Sequence, residues 1–396
     1  METTNGHKAD SRNGARVVFI TGSTGNIGAA VTARLLRADP TAELVLLVRA
    51  ESGEVGLHRV EEVVQFLSPE TDIAARCYRV TVVTGDITKP KLGLDDDAWS
   101  RIASRITEII HSAAATKFLL PLPCARAINV DGTARVLELA LAARRTGRLR
   151  QFVHVSTAYV CGDRAGLIHE DDFSQSAGFS NAYEQTKWEG EQLVRSHMEE
   201  LPIAVVRPSI VVGDSHTGRT TAFNVLYTPL KMIYDGHLSL IPGLSDAQLD
   251  VVPLDYVADA ITYIALHHNH STGRTFNLTA GAGRTMSAHD IVARARECYR
   301  HYGLIGHVAK AAFVPPRLGK VVCNLAHGRL QRAWQLARPY IPYLSVRRQF
   351  VSENSEKVLR AAGIRPPALR DYLSTLLNFA IETDWGRRLR RPARAA

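Results

Sequence analysis

Cysteine is scarce: the chain of 396 residues has five, Cys77, Cys124, Cys161, Cys298 and Cys323, widely separated and never in a C-x-x-C pair. That spacing excludes a paired-cysteine zinc site and a disulfide framework, so the thiols are expected to be reduced and mostly buried. Long apolar runs are missing too, and nothing approaches the ~20 consecutive apolar residues of a membrane-spanning helix. The first residues, METTNGHKAD, are polar and lack the apolar core of a secretory signal, so a soluble, cytoplasmic protein is expected. Histidine clusters only at His267, His268 and His270, with no cysteine or carboxylate at ligand spacing. An exposed turn after a helix is expected there, and no metal. Internal repeats are absent, as are low-complexity tracts outside an arginine-rich end. The formal charge of +9 owes five units to Arg387, Arg388, Arg390, Arg391 and Arg394, which leaves four for the rest of the chain. A nucleic-acid partner is therefore not implied.

What is present is an ordinary globular balance, with 45% hydrophobic residues, 22% charged residues and a mean hydropathy of -0.08. Residues 1–14 are polar and without period and read as a disordered lead-in. From Arg16 onward, β-branched runs alternate with stretches of helical spacing: ARVVFITG, GAAVTARLLRAD, AELVLLVR, EVGLHRVEEVVQFL, YRVTVVTGD and so on to PIAVVRPSIVVG. The strands lack inside/outside alternation, as a sheet covered on both faces requires. The alternation predicts an α/β fold, a doubly wound parallel sheet, over residues 15–213. Residues 214–386 are looser and read as a smaller substrate-binding region, interleaved with pieces such as DVVPLDYVADAITYIAL and TFNLTAG that belong with the sheet. Residues 387–396 form the basic tail.

The first strand runs into Thr21-Gly22-Ser23-Thr24-Gly25-Asn26-Ile27-Gly28 and then a helix. Three glycines spaced three apart at a strand-to-helix turn place a dinucleotide pyrophosphate: Gly22 for the tight turn, Gly25 for close approach, Gly28 for helix–strand packing. Where an acid would hold the ribose 2′-hydroxyl of NAD, the second strand ends at Arg49, which suits a 2′-phosphate and points to NADPH. Glu51 nearby keeps an ordinary surface arginine as the alternative. Asp86 and Ile87 close the third strand, beside the expected adenine, and the small Ser112, Ala113 and Ala114 close the fourth, leaving room for the cofactor. Residues 15–213 then make an NADP-binding Rossmann domain. Tyr183 and Lys187 stand one helical turn apart, with Thr157 upstream at the end of the fifth strand. A phenol of pKa about 10 needs a neighbouring ammonium to work near neutrality, which Lys187 is expected to supply while holding the nicotinamide ribose. The Thr157 hydroxyl would join Tyr183 on the substrate oxygen.

Together these residues resemble the extended short-chain dehydrogenase/reductase family. The stretches Gly85–Leu94 (GDITKPKLGL), IIHSAAATKF, AINVDGTARVLELA and FVHVSTAYVCG resemble its acyl thioester reductase branch, which includes fatty acyl-CoA reductases and the terminal reductase domains of carboxylic acid reductases and peptide synthetases. The resemblance covers roughly residues 16 to 285. It implies catalytic roles for Thr157, Tyr183 and Lys187, a structural role for the family asparagine at Asn129, and a nicotinamide-facing segment at Pro208, Ser209 and Ile210. It implies NADPH-dependent reduction of an apolar acyl thioester, carried by coenzyme A or an acyl carrier protein, to an aldehyde and in some members to the alcohol. A reductase, epimerase or dehydratase of a sterol, flavonoid or nucleotide sugar stays open, because it shares the Thr/Tyr/Lys set, and so does a non-catalytic NADP-binding regulator. Val322, Leu325, Leu330 and Trp334 share an apolar helical face among Lys320, Arg329, Arg332 and Arg338. That composition suits a cap helix, or a lid that meets an anionic membrane surface or acidic carrier together with the tail. Oligomeric state has no signature in the sequence.

Overall fold

The computed structural model describes residues 15–174, 178–223, 225–238, 240–303, 312–315, 335 and 337–389. Seven parallel strands make the central sheet: β1 (Val17–Thr21), β2 (Glu43–Val48), β3 (Val80–Thr84), β4 (Glu108–His111), β5 (Gln151–Val155), β6 (Ile203–Pro208) and β7 (Thr275–Leu278). Their order across the sheet is β7-β6-β5-β4-β1-β2-β3. Every residue of β1, β5 and β6 is buried, which is why these strands do not alternate apolar and exposed positions, and their few polar residues, Gln151, His154 and Arg207, are buried as well.

Helices cover both faces. On one side α1 (Asn26–Ala38), α2 (Gly53–Leu67) and α8 (Leu254–Leu266) pack on Val18, Ile20, Leu44, Leu46 and Phe276. On the other, α3 (Asp96–Arg105), α5 (Asp131–Arg145) and α6 (Ala182–Arg195) pack on Val17, Phe19, Phe152 and Ile203, with α4 (Leu122–Asn129) leading into α5. Strand order reverses between β1 and β4, and the crevice outside the carboxyl ends of the strands at such a reversal is where ligands bind in this architecture.

A third apolar cluster lies over that end of the sheet. It joins Tyr159 and Ile168 to α7 (Tyr227–Tyr234), α9 (Ala288–His301) and α11 (Leu369–Glu382). Short strand pairs stitch it from distant stretches: Gly166–Ile168 with Arg348–Phe350, Ile210–Val211 with Val251–Val252, and Leu240–Pro242 with Ala312–Val314. Helix α10 (Glu353–Leu359) packs against β7, so the chain returns to the sheet edge late.

Some expectations change. The thiols are not mostly buried: of the four described, Cys77 and Cys124 are exposed, Cys298 is intermediate and only Cys161 is buried. Cys77 lies in a surface turn before β3 and Cys124 in the first turn of α4, sites where the helix or turn faces water. His267 and His270 are exposed in the single turn that follows α8. Residues 1–14, Cys323, Lys320, Val322, Leu325, Arg329, Leu330, Arg332, Trp334, Arg390, Arg391 and Arg394 lie outside the described residues. Arg338 opens a 3-10 helix, Arg338–Leu344. Among the described residues no helix is long and apolar enough to cross a membrane, and no group of three or more His, Cys, Asp or Glu is placed to hold a metal ion.

Candidate active site

The glycine turn is shaped by contacts that leave no room for side chains. Gly22 has φ +78°, and a Cβ on it would stand 2.7 Å from the Ala113 nitrogen. A Cβ on Gly28 would fall 2.1 Å from the Gly22 carbonyl oxygen, so α1 can start this close to β1 only with glycine there. The Thr21 hydroxyl accepts from Ala113 N at 3.2 Å and pairs with His111 Nδ1 at 2.8 Å, which ties the turn to the small residues after β4. Asn26 Oδ1 accepts from Thr221 N at 3.0 Å, holding a loop of the smaller region over the start of α1.

A cleft of about 560 Å³ begins at this turn. Thr21, Gly22, Thr24, Gly25, Asn26, Ile27 and Gly28 form one end of its wall, with Arg49, Asp86, Ile87 and Ser112–Ala114 beside them. Thr157, Tyr183, Ser209 and Ile210 line the other end, whereas Lys187, Asn129 and Pro208 stand behind the wall. Asp86 spends one carboxylate oxygen on the Thr88 amide and hydroxyl, both at 2.9 Å, in a local turn.

Thr157 caps the turn that follows β5, its hydroxyl accepting from Tyr159 N at 3.3 Å and facing the Pro208 carbonyl at 3.4 Å. Helix α6 starts one residue before Tyr183 because the Asn181 side chain accepts from Glu184 N at 3.0 Å. Desolvation pushes the Tyr183 phenol up to about 12, and hydrogen bonding with the Thr157 side chain pulls it the other way. Lys187 is buried, donates to the Val155 carbonyl at 2.7 Å, and is brought down to about 8 by desolvation against the attraction of Glu191. The expected pull of the Lys187 ammonium on the Tyr183 phenol is therefore not what sets that phenol here. The ammonium is turned to the end of β5, under the cleft, where its charge lowers the buried His111 and His154 after burial itself.

Asn129 is a clamp. Its Oδ1 accepts from Ala115 N at 2.7 Å and its Nδ2 donates to Ala115 O at 3.1 Å and to Thr186 Oγ1 at 2.9 Å. It joins the segment after β4 to α6 and so fixes Tyr183 against the cleft without touching it. Glu191, one turn beyond Lys187, takes Arg207 Nη2 at 2.6 Å, Arg195 Nε at 2.8 Å and Ser156 Oγ at 2.6 Å, a buried network between α6 and β6.

Several lining residues had no sequence signal. Arg59, on α2, donates to the Arg49 carbonyl, so two guanidinium-bearing residues stand at the outer end of the cleft. Phe118 lies 5.9 Å from the Tyr183 ring and stacks on Tyr343 at 5.7 Å, and Tyr159 meets Tyr343 edge-on at 4.8 Å. The Tyr343 hydroxyl donates to Glu184 Oε1 at 2.6 Å. These rings give the Tyr183 end of the cleft an apolar wall.

A family model described as male sterility protein matches residues 20–261, well over half of the chain. The chain belongs to that family. It is an NAD-binding family of the extended short-chain dehydrogenase/reductase type. Among its relatives, the L-2-aminoadipate reductase large subunit of Penicillium chrysogenum is 32% identical over 267 residues, covering 63% of this chain and 18% of the relative. Fatty acyl-CoA reductase wat of Drosophila melanogaster is 28% identical over 278 residues, covering 62% and 53%. The chain thus spans from just under a fifth to about half of the length of these curated relatives. The crystal structure of the terminal R domain from the myxalamid PKS-NRPS biosynthetic pathway superimposes with a TM-score of 0.77 at 26% identity, covering 96% of this chain and 94% of that one. The relatives named here are reductases, and the family match takes in the glycine turn, Thr157, Tyr183 and Lys187 but stops before Tyr343.

Proposed function

We propose that the protein is an NADPH-dependent reductase that converts an acyl thioester, carried on coenzyme A or an acyl carrier protein, to the aldehyde. One observation carries the reading: the cleft that starts at the glycine turn, with Arg49 and Arg59 at its outer end, has Thr157 and Tyr183 on its wall. The residues fit a dinucleotide, because Gly22 and Gly28 let β1, α1 and the Ser112–Ala114 segment meet backbone to backbone, where a Cβ would strike Ala113 or Gly22, and the glycine turn and Ser112–Ala114 both line the cleft. Arg49 and Arg59 suit a 2′-phosphate through charge-assisted bonds; Arg49 is exposed, Arg59 half-buried, and both line the cleft.

When bound, NADPH supplies the hydride that reduces the acyl carbon. The chain's own groups handle the oxygen. With its phenol pushed up to about 12, Tyr183 remains protonated across the neutral range and donates to the carbonyl oxygen as negative charge develops there, with the Thr157 hydroxyl beside it. Collapse of the tetrahedral oxyanion expels the thiolate, which takes up a proton, and leaves the aldehyde. Lys187 holds its positive charge at the end of β5, on the Val155 carbonyl, and Asn129 with Glu191 keeps α6 in register. Phe118, Tyr159 and Tyr343 exclude water from the acyl side of Tyr183.

The names of the relatives support the thioester part of this reading, and the two arginines support the choice of NADPH. The test is NADPH and NADH oxidation against acyl-CoAs, acylated carrier proteins, free aldehydes and nucleotide sugars. Turnover of an acyl thioester with NADPH and none with a sugar nucleotide is expected; the converse pattern overturns the reading, and cofactor binding with no turnover of any substrate would make the protein a regulator.

A further inference from the structure

A second cavity, of about 140 Å³, opens where the loop leaving β7 meets α8 and α10. Its wall carries three arginines, Arg284, Arg360 and Arg365, against one carboxylate, Glu356. Among the described residues none of the three forms an ion pair, and the one hydrogen bond of their side chains is a long one, from Arg284 Nη1 to the Ala280 carbonyl at 3.4 Å. Tyr256 lines the same cavity at 5% exposure, and its hydroxyl has no hydrogen-bond partner among the described residues. The ring is buried but the hydroxyl is not among the fully buried atoms, so it opens to the cavity as a donor available there. Thr279 and Ser352, also on the wall, bond each other at 2.7 Å, which leaves hydroxyl capacity on the same side.

The chemistry of that lining selects its ligand. With three guanidiniums and one carboxylate on its wall, the cavity favours an anion. The donors, guanidiniums with a phenol and hydroxyls, suit a tetrahedral oxyanion with several acceptor oxygens and more than one negative charge. The volume suits one phosphoryl group and not a dinucleotide. Asp250 partitions this cavity from the cofactor cleft: its carboxylate accepts from Ala280 N at 2.8 Å and Gly281 N at 3.4 Å on the arginine side, with the cleft residue Ser209 on the other.

We propose that the cavity between the β7 loop and α10 binds phosphate, free or as a small phosphate monoester, independently of the cofactor cleft. The test is calorimetric titration of the full chain with inorganic phosphate and, separately, with glycerol 3-phosphate, each with and without saturating NADPH. A class of sites that persists under NADPH is expected, and in the Arg360→Gln/Arg365→Gln double variant that class weakens by at least about tenfold. Both arginines are exposed, so the variant keeps its fold, and circular dichroism checks this. The tighter of the two probes identifies the source as free ion or organic ester. Equal affinity in the double variant, or no NADPH-insensitive binding at millimolar phosphate, overturns the proposal. Because an Arg49→Asp/Arg59→Gln variant removes only phosphate binding at the cofactor cleft, failure of the cofactor reading leaves a different trace.

Discussion

Tyr183 and Lys187 sit one turn apart on α6 yet face different surroundings, the phenol toward the cleft and the ammonium toward the Val155 carbonyl. Tyr183→Phe keeps the ring and its contact with Phe118, so NADPH affinity measured by fluorescence should stay within a few-fold while kcat falls by about a hundredfold or more. Lys187 provides a pH handle. Its pKa is lowered to about 8, so the charged form is complete below that pH and is lost above it. Turnover should therefore decline with a single-proton slope as pH rises through about 8, and Lys187→Arg, permanently charged, should flatten that decline even where its overall rate is lower. Gly28→Ala tests the cradle. The added methyl meets backbone, not a movable side chain, so cofactor binding should be lost in titrations even if helical circular dichroism survives.

At the scale of elements, β2 and α2 act as one unit at the outer end of the cleft, since Arg59 holds the carbonyl of Arg49. One charge-assisted contact contributes about 1.5–3 kcal/mol, so Arg49→Asp should shift the NADPH/NADH ratio of kcat/KM by roughly 10- to 150-fold toward NADH, and adding Arg59→Gln should shift it further. The pairing of α6 with β6 rests on a buried ion network. Arg207→Leu takes from Glu191 its fully buried cation and leaves it Arg195 and Ser156, so it should cost about 1–3 kcal/mol in urea unfolding, the range for a lost hydrogen bond to a buried charged group. The elements of the sheet were legible because their signals are local: apolar runs such as VVFIT, glycines at fixed spacing, and a Tyr and Lys one turn apart. TFNLTAG pointed to β7 for the same reason. Arg59 was not legible, because a charged residue on a surface helix is ordinarily just solvated. Tyr343 was not legible either, since its bond to Glu184 joins positions 159 apart and neither residue carries a pattern. Cys77 and Cys124 misled because burial is only a tendency of that side chain, and the turn and helix start that hold them face water.

Across the whole molecule, the apolar wall beside Tyr183 is assembled from the segment after β4, the turn after β5 and the 3-10 helix near residue 343, so the smaller region completes a site that the sheet begins. Glu170 fastens the two together: its carboxylate accepts from Asn277 N on β7 at 2.8 Å and from the Ser355 hydroxyl on α10 at 2.8 Å. Glu170→Ala leaves these donors unmatched and should destabilise the protein by several kcal/mol, roughly 1–3 for each stranded group, with hydrogen exchange rising first at β7 and α10. The strand Gly166–Ile168 carries a further meaning. It leaves β5 early in the chain but its partner is Arg348–Phe350, and the Arg348 bond to the Gly162 carbonyl spans 186 positions. During synthesis the sheet therefore has its first five strands long before that partner leaves the ribosome, and the turn bearing Thr157 waits with an unpaired edge. Loop closure of this length is slow relative to local helix formation, so refolding should be biphasic, with sheet signal recovered in the fast phase and Tyr343-dependent ring packing in the slow one.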